Sequence, residues 1–165
     1  MAFQATVNRV NTYGIQGDLA NGQVPHYYPL NVRVAASDTA TAGAFAWVSE
    51  SSGVAYAASH AAGKPTGIVQ RVLDNALTTI TSDASMVYPA GHKVDVVVWG
   101  DMFLKTTDSA TVGNKIFVNN TTGAITNAAS GTSVSGATET DWKIVSLANN
   151  AAAATGSVVI VSNIA

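Results

Sequence analysis

The amino-acid sequence predicts an all-β protein, a small barrel or sandwich of short antiparallel strands with an extended N-terminal arm. Three observations predict it. Apolar residues recur in short runs, several with the period-two alternation that puts every second side chain on one face of a strand. Glycine, proline and asparagine interrupt those runs at short intervals, as they do in sandwiches and barrels. No stretch sustains the apolar period of an amphipathic helix. The division read from this pattern is an arm over residues 1–40 and a β domain over 41–165.

The arm comes first. Gly14, Gly17, Gly22, Pro25 and Pro29 punctuate it, and Asn21-Gly22 is a tight-turn signal. It nevertheless carries Tyr13, Ile15, Leu19, Val24, Tyr27, Tyr28 and Leu30. Large apolar groups in an irregular segment need a surface to lie on, either the chain's own domain or a neighbour. Long irregular segments in compact proteins are usually functional or linkers.

The expected strands follow in order. Phe45-Ala46-Trp47-Val48 is the first, Gly67 to Leu73 the second, and the β-branched Leu77-Thr78-Thr79-Ile80-Thr81 the third. In Lys93 to Trp99, Val94, Val96 and Val98 share one face, while Val97 and Trp99 lie on the other, so this strand is expected to be covered on both sides. Gly100 marks an expected bulge before Asp101 to Lys105. Val112 to Val118 and Ala124 to Thr126 flank a glycine-containing hairpin loop. Trp142 to Leu147 and Ser157 to Ser162 are the last two strands. Residues 126–140, rich in Ala, Ser, Gly and Thr, read as a flexible excursion. Ala151 to Ala154 is too short to hold a helix alone, and Ser82 to Met86 is at most one turn.

Composition bounds the function. For 165 residues, surface scaling gives about 7,600 Å² folded against about 24,000 Å² unfolded, enough burial for a core without disulfides or metal. Charged residues make up 11% of the chain, where about 25% is usual. Little charge means little repulsion between copies and weak colloidal protection, which suits a protein packed against neighbours. The net charge is −2 and the eight basic residues are scattered singly, so no basic stripe for nucleic acid is present. There is no cysteine, which removes disulfides, thiol nucleophiles and cysteine zinc sites. The first nine residues lack a basic region followed by an apolar one, so no signal peptide is expected. No apolar run approaches membrane-spanning length, so no membrane partner is expected.

A search for chemistry finds no catalytic, cofactor-binding or metal-binding constellation. His26, His60 and His92 have no second ligand at metal spacing. Gly63-Lys64-Pro65-Thr66-Gly67 departs from a phosphate loop because Pro65 follows the lysine and has no N–H to offer. Asp101, Asp108, Glu139 and Asp141 are too sparse to identify an acid–base pair and read as turn and hairpin-end residues.

The order of strands and turns resembles the cement, or decoration, proteins of tailed-bacteriophage capsids. Gly14-Ile15-Gln16-Gly17-Asp18 resembles a G-x-x-G-D passage in that family's arm, and Gly43 to Val48 stands where its first strand does. Gly67-Ile68-Val69-Gln70-Arg71 resembles its GFVQR strand, with Ile68 in place of the aromatic. Pro89 to Leu104 and Val112 to Ile125 resemble its two later blocks. The resemblance implies homotrimers on the outside of a phage head, partnered by the major capsid protein, assembled in the bacterial host cytoplasm, with no cofactor and no catalysis. Tyr13, Tyr27, Tyr28 and Pro29 are the candidate capsid or inter-subunit contacts, because tyrosine joins a large apolar body to a polar tip. The alternatives are a tail or fibre subunit of the virion, or a carbohydrate-binding module in which Trp47, Trp99 and Trp142 would have to be exposed.

Overall fold

A computed structural model describes residues 14–22, 24–72, 86–147 and 155–164. These residues form fourteen strands: β1 (His26–Tyr27), β2 (Val32–Val34), β3 (Ala40–Thr41), β4 (Phe45–Ser51), β5 (Val54–Ala58), β6 (Gly67–Val69), β7 (Val87–Tyr88), β8 (Lys93–Val94), β9 (Val96–Trp99), β10 (Asp101–Lys105), β11 (Lys115–Asn119), β12 (Ile125–Ala128), β13 (Ala137–Leu147) and β14 (Val158–Ser162). No helix occurs among the described residues. One sheet has seven strands in the order β1-β9-β6-β4-β5-β2-β8, a second has five in the order β10-β14-β13-β11-β12, and β3 pairs with β7. All pairs are antiparallel except β2 with β5.

Alternation along β4 explains the layering. Phe45 and Trp47 point one way and Ala46 and Val48 the other. Phe45 stands opposite Ile68, and Ile68 opposite Val97. That row faces the five-stranded sheet and packs with Met102, Leu104, Ile116, Trp142, Ile144 and Val161. Offset by one residue, Ala46, Val69 and Val96 join Val32, Val34, Ala55, Ala57 and Val94 in a second core on the opposite face, with Tyr88 of β7 over it. The seven-stranded sheet is therefore covered on both faces, and the two sheets form a sandwich.

The second core is built of small residues because its sheet curls. β8 and β9 are one run of chain divided at Asp95, yet they fall near opposite ends of the strand order. β1 and β2, also consecutive in the chain, pair with them in turn. The sheet thus rolls around its inner face without pairing closed into a barrel. Alanine and valine fit inside that roll, and the bulkier side chains line its outside.

Gly100 was expected to mark a bulge; it is where the chain changes sheets. Trp99 ends β9 in the seven-stranded sheet and Asp101 begins β10 in the five-stranded one, with Gly100 between them at φ 139°. Asn163 clamps the corner, accepting from the Gly100 N–H at 2.9 Å and donating to the Val98 carbonyl at 2.7 Å.

Other differences have local causes. β5 went unforeseen because its buried residues, Ala55 and Ala57, give little apolar contrast. β6 ends at Val69, and beyond it the Arg71 N–H bonds to Gly17 rather than to a strand. Residues 126–140 begin and end in strand, because β12 runs to Ala128 and β13 starts at Ala137, leaving only 129–136 as the connection. The turn between them is tied down by Glu139, which accepts from Ser130 Oγ and the Gly131 N–H, each at 2.9 Å. The strand expected at Leu77 to Thr81, the turn at Ser82 to Met86 apart from Met86 itself, and the alanine run at Ala151 to Ala154 lie outside the described residues.

Candidate functional site

The sequence leaves two kinds of site to test, a reactive centre and a contact surface. For the first, no group of three His, Asp or Glu side chains among the described residues is placed to hold a metal. The four sparse carboxylates end in separate contacts. Asp101 accepts from Asn21, Asp108 from Asn127, Glu139 from the Ser130 turn, and Asp141 pairs with Lys64.

One cluster does contain serine, histidine and aspartate. Ser59 Oγ lies 2.7 Å from Asp38 Oδ1 and 3.0 Å from His60 Nδ1. The order is wrong for nucleophilic catalysis, which needs histidine between the hydroxyl and the carboxylate. Here the hydroxyl donates to the carboxylate directly. Burial pushes the Asp38 carboxyl up, but hydrogen bonds from the Ser59 N–H, the Ser59 hydroxyl and the Thr39 N–H, with His60 nearby, hold it below the usual range. Asp38 is therefore a fixed anion that ties residues 38–39 to the end of β5. An adjoining cavity of about 460 Å³ lies between Phe45, Ser59, Thr106, Thr122 and Ile125, and the only ionisable residue in its lining is Lys105. A lone lysine offers no acid–base pair.

The three tryptophans do not form an exposed platform for a sugar. Trp47 and Trp142 are buried. Trp47 Nε1 donates to the Gly63 carbonyl at 2.9 Å, and the Trp142 ring meets Phe45 edge-on. Trp99 is half-buried, with the His26 ring 4.7 Å from it.

For the second, four of the seven large apolar side chains exposed among the described residues lie in residues 14–30, the others being Val87, Val112 and Ile164. The four are Ile15 (50%), Val24 (77%), Tyr27 (43%) and Leu30 (39%). The segment starts as an added strand on β10. The Gly17 N–H bonds to Phe103, Asp18 accepts from the Phe103 N–H, and the Ala20 N–H bonds to Asp101, each at 2.9 Å. Arg71 holds it from the other side through a two-point pair with Asp18 at 2.8 and 3.0 Å. Gly17 and Gly43 pack backbone to backbone; a Cβ on Gly17 would sit 2.7 Å from the Gly43 nitrogen. Three of the sequence blocks that carry the family resemblance, at Gly17-Asp18, Gly43 and Arg71, thus lock into one another.

Beyond the turn at Asn21-Gly22 the segment crosses to the seven-stranded sheet, where β1 is an end strand. Val24 to Leu30 contains no acidic or basic side chain apart from His26. Among the described residues, the other ends of the two larger sheets are covered or charged. β10 is covered by residues 17–20. β12 is plugged by Asp108, which accepts from Asn127 N and Nδ2. β8 is two residues long and carries Lys93, paired with Asp95. Short or charged ends of this kind discourage unwanted pairing; among the described residues of the two larger sheets, the β1 end carries no such charge.

The candidate contacts fall differently. Tyr27 and Pro29 are exposed at the β1 end, while Tyr28 is half-buried against the second core with its hydroxyl donating to Glu50. Tyr13 lies outside the described residues. Burial and the Asp95 carboxylate raise the Tyr27 phenol above its ordinary value, so it stays neutral. Val24 and Leu30, named from the sequence among the arm's apolar groups but not among its candidate contacts, flank Pro25 and Pro29 on the outside.

With this geometry in place, comparison with known proteins is informative. A family model described as XM1 gp53 minor capsid protein matches residues 3–163. Among solved structures, a chain from the capsid of Myoviridae phage XM1 shares the fold at a TM-score of 0.58, with 17% identity, covering 99% of this chain and 98% of that one. Comparison with curated proteins gives no match.

Proposed function

This chain belongs to the XM1 gp53 minor capsid protein family, and from that premise we propose that it is a decoration protein that binds the outside of a phage head and stabilises the major capsid lattice. It is a structural protein of a phage capsid, carried in the virion. In this reading it acts as a homotrimer bridging neighbouring major capsid subunits, without catalysis. Residues 1–40 form its contact arm. Tyr27, Tyr28 and Pro29, with Val24 and Leu30, meet the capsid or the next subunit, and Tyr13 is a further candidate contact.

The observation that carries the reading is the run Val24 to Leu30, mostly exposed and without acidic or basic side chains apart from His26, at the β1 end of the seven-stranded sheet. Interface cores are depleted in charge and rich in tyrosine. The work is thermodynamic. A protein that binds only the assembled lattice stabilises that lattice by mass action. A trimer engaging several lattice points gains avidity, so each contact need only be modest.

Removing residues 1–30 would be a poor test, because residues 17–20 and β1 are part of the two sheets. The better variant is Val24→Asp with Tyr27→Asp, mixed with heads that lack this protein and sedimented. Loss of co-sedimentation from a folded variant is expected. Undiminished binding overturns the role given to this surface. Light scattering is expected to give the mass of a trimer.

A further inference from the structure

Asn21-Gly22 and the buried carboxylate of Asp101 are left unused by the capsid reading, and they touch. Asn21 Nδ2 donates to Asp101 Oδ2 at 3.2 Å. Asp101 is only 9% exposed, and its Oδ1 finds no hydrogen-bond partner among the described residues. The carboxylate therefore relies on the Asn21 carboxamide for its side-chain hydrogen bond, a costly arrangement to disturb. Asn21 and Gly22 are both exposed, and both have left-handed backbone, at φ 61° each. Open space surrounds Gly22.

Asparagine followed by glycine is the sequence in which the next backbone nitrogen most easily reaches the side-chain carbonyl, because glycine offers no side chain to block it. We propose that Asn21-Gly22 is a self-modifying site, whose deamidation sets a second carboxylate against Asp101 and releases residues 14–22 from β10. The Gly22 nitrogen attacks Asn21 Cγ and loses its proton, the C–N bond to the side-chain nitrogen breaks, and ammonia leaves. Water then opens the cyclic imide to aspartate or isoaspartate. The net change is amide plus water to carboxylate plus ammonium, and no other reactant is needed.

Two features make the site specific rather than generic. The bond to Asp101 ties the carboxamide down, so the folded chain resists a reaction that the frayed chain undergoes. The product also removes the one side-chain donor to Asp101 among the described residues and replaces it with a like charge in a partly buried place, which is destabilising. The first bonds exposed to that repulsion are those nearest it, between Ala20 and Asp101 and between Asp18 and Phe103.

The experiment follows the amide-to-acid mass change at Asn21 in the full chain, incubated in mildly alkaline buffer, together with hydrogen exchange of Gly17, Ala20 and Phe103. Asp101→Ala is expected to speed conversion by about tenfold, the effect of losing one hydrogen bond to a charged group. Asn21→Asp is expected to speed exchange at those three amides, and Asp101→Asn in the same chain to restore it, since the double variant has one carboxylate again. Equal conversion rates with and without Asp101 would overturn the proposal. So would Asn21→Asp leaving exchange unchanged, or a loss of protection that Asp101→Asn does not repair, because a merely structural effect of either residue would not be reversed by the second substitution.

Discussion

Two stretches of the arm, residues 14–22 and residues 24–30, lie side by side and are held in opposite ways. The first is locked: its backbone pairs with β10, Gly17 meshes with Gly43, and Asp18 grips Arg71. The second is open, with Val24, Tyr27 and Leu30 in solvent. Three of the five sequence blocks that carry the family resemblance are in the locked stretch or bind it. The residues available to a partner carry no motif. A sequence pattern that serves packing can thus mark where an arm is anchored, while the proposed contact surface next to it carries no such pattern.

The sharpest way to break that contrast is at the mesh of Gly17 and Gly43. Gly17 has φ +88°, and an added Cβ would also lie 3.1 Å from the Ala42 carbonyl carbon. Left-handed strain together with overpacking against backbone predicts that Gly17→Ala costs about 2–4 kcal/mol. Urea unfolding checks this. A midpoint close to that of the unaltered protein would mean that the locked stretch does not contribute to the fold.

The Asp18–Arg71 pair comes next. Both side chains are more than half-buried, and hydrogen bonding to Asp18 raises the Arg71 guanidinium further above its already high value. Asp18→Ala removes two charge-assisted bonds and leaves Arg71 unpaired, for an expected loss of about 1–3 kcal/mol. Hydrogen exchange is expected to rise at Gly17 and Phe103 and to stay unchanged in β13. A uniform rise would make the two stretches one cooperative unit and erase the contrast.

These contacts explain what could and could not be read from the sequence. β4, β9, β10, β11 and β14 were legible because large apolar residues alternate or cluster there. β1, β2 and β3 are two or three residues long and sit among prolines and glycines, so period-two pattern has nothing to act on. Asp18 and Arg71 were both singled out within motifs, but they are 53 residues apart, and local spacing cannot pair them. At the contact surface, a preference for tyrosine selected Tyr28, which is half-buried, and passed over Val24, the most exposed of the named apolar groups. Exposure depends on which way the chain crosses between sheets at Gly100, and that is a tertiary fact.

A smaller effect concerns the far end of the arm, where Asp38 ties residues 38–39 to Ser59. Its carboxyl titrates below the usual range in the folded chain. The charged form therefore favours folding, and its contribution is present above the unfolded value of about 4 and lost as pH falls through the folded one. Asp38→Asn is expected to lower the urea midpoint at neutral pH, with the gap to the unaltered protein closing in acid. A gap that is constant with pH would mean that the Ser59 bonds do not depend on the charge.

The smallest expected change in stability is the one that most directly separates the two stretches. Val24 is 77% exposed, so Val24→Ser removes little buried surface and should alter stability by no more than about 0.5 kcal/mol. If residues 24–30 are a contact surface, the same substitution weakens attachment to heads while the urea midpoint stays put. Gly17→Ala should do the reverse at low temperature, where enough folded protein remains to bind: a large loss of stability with attachment per folded molecule preserved. Attachment that falls in proportion to stability in both variants would mean that one property, folding, governs both stretches. Opposite responses require two, because a locked stretch can affect the partner only through the fold, whereas an open one can affect the partner without it.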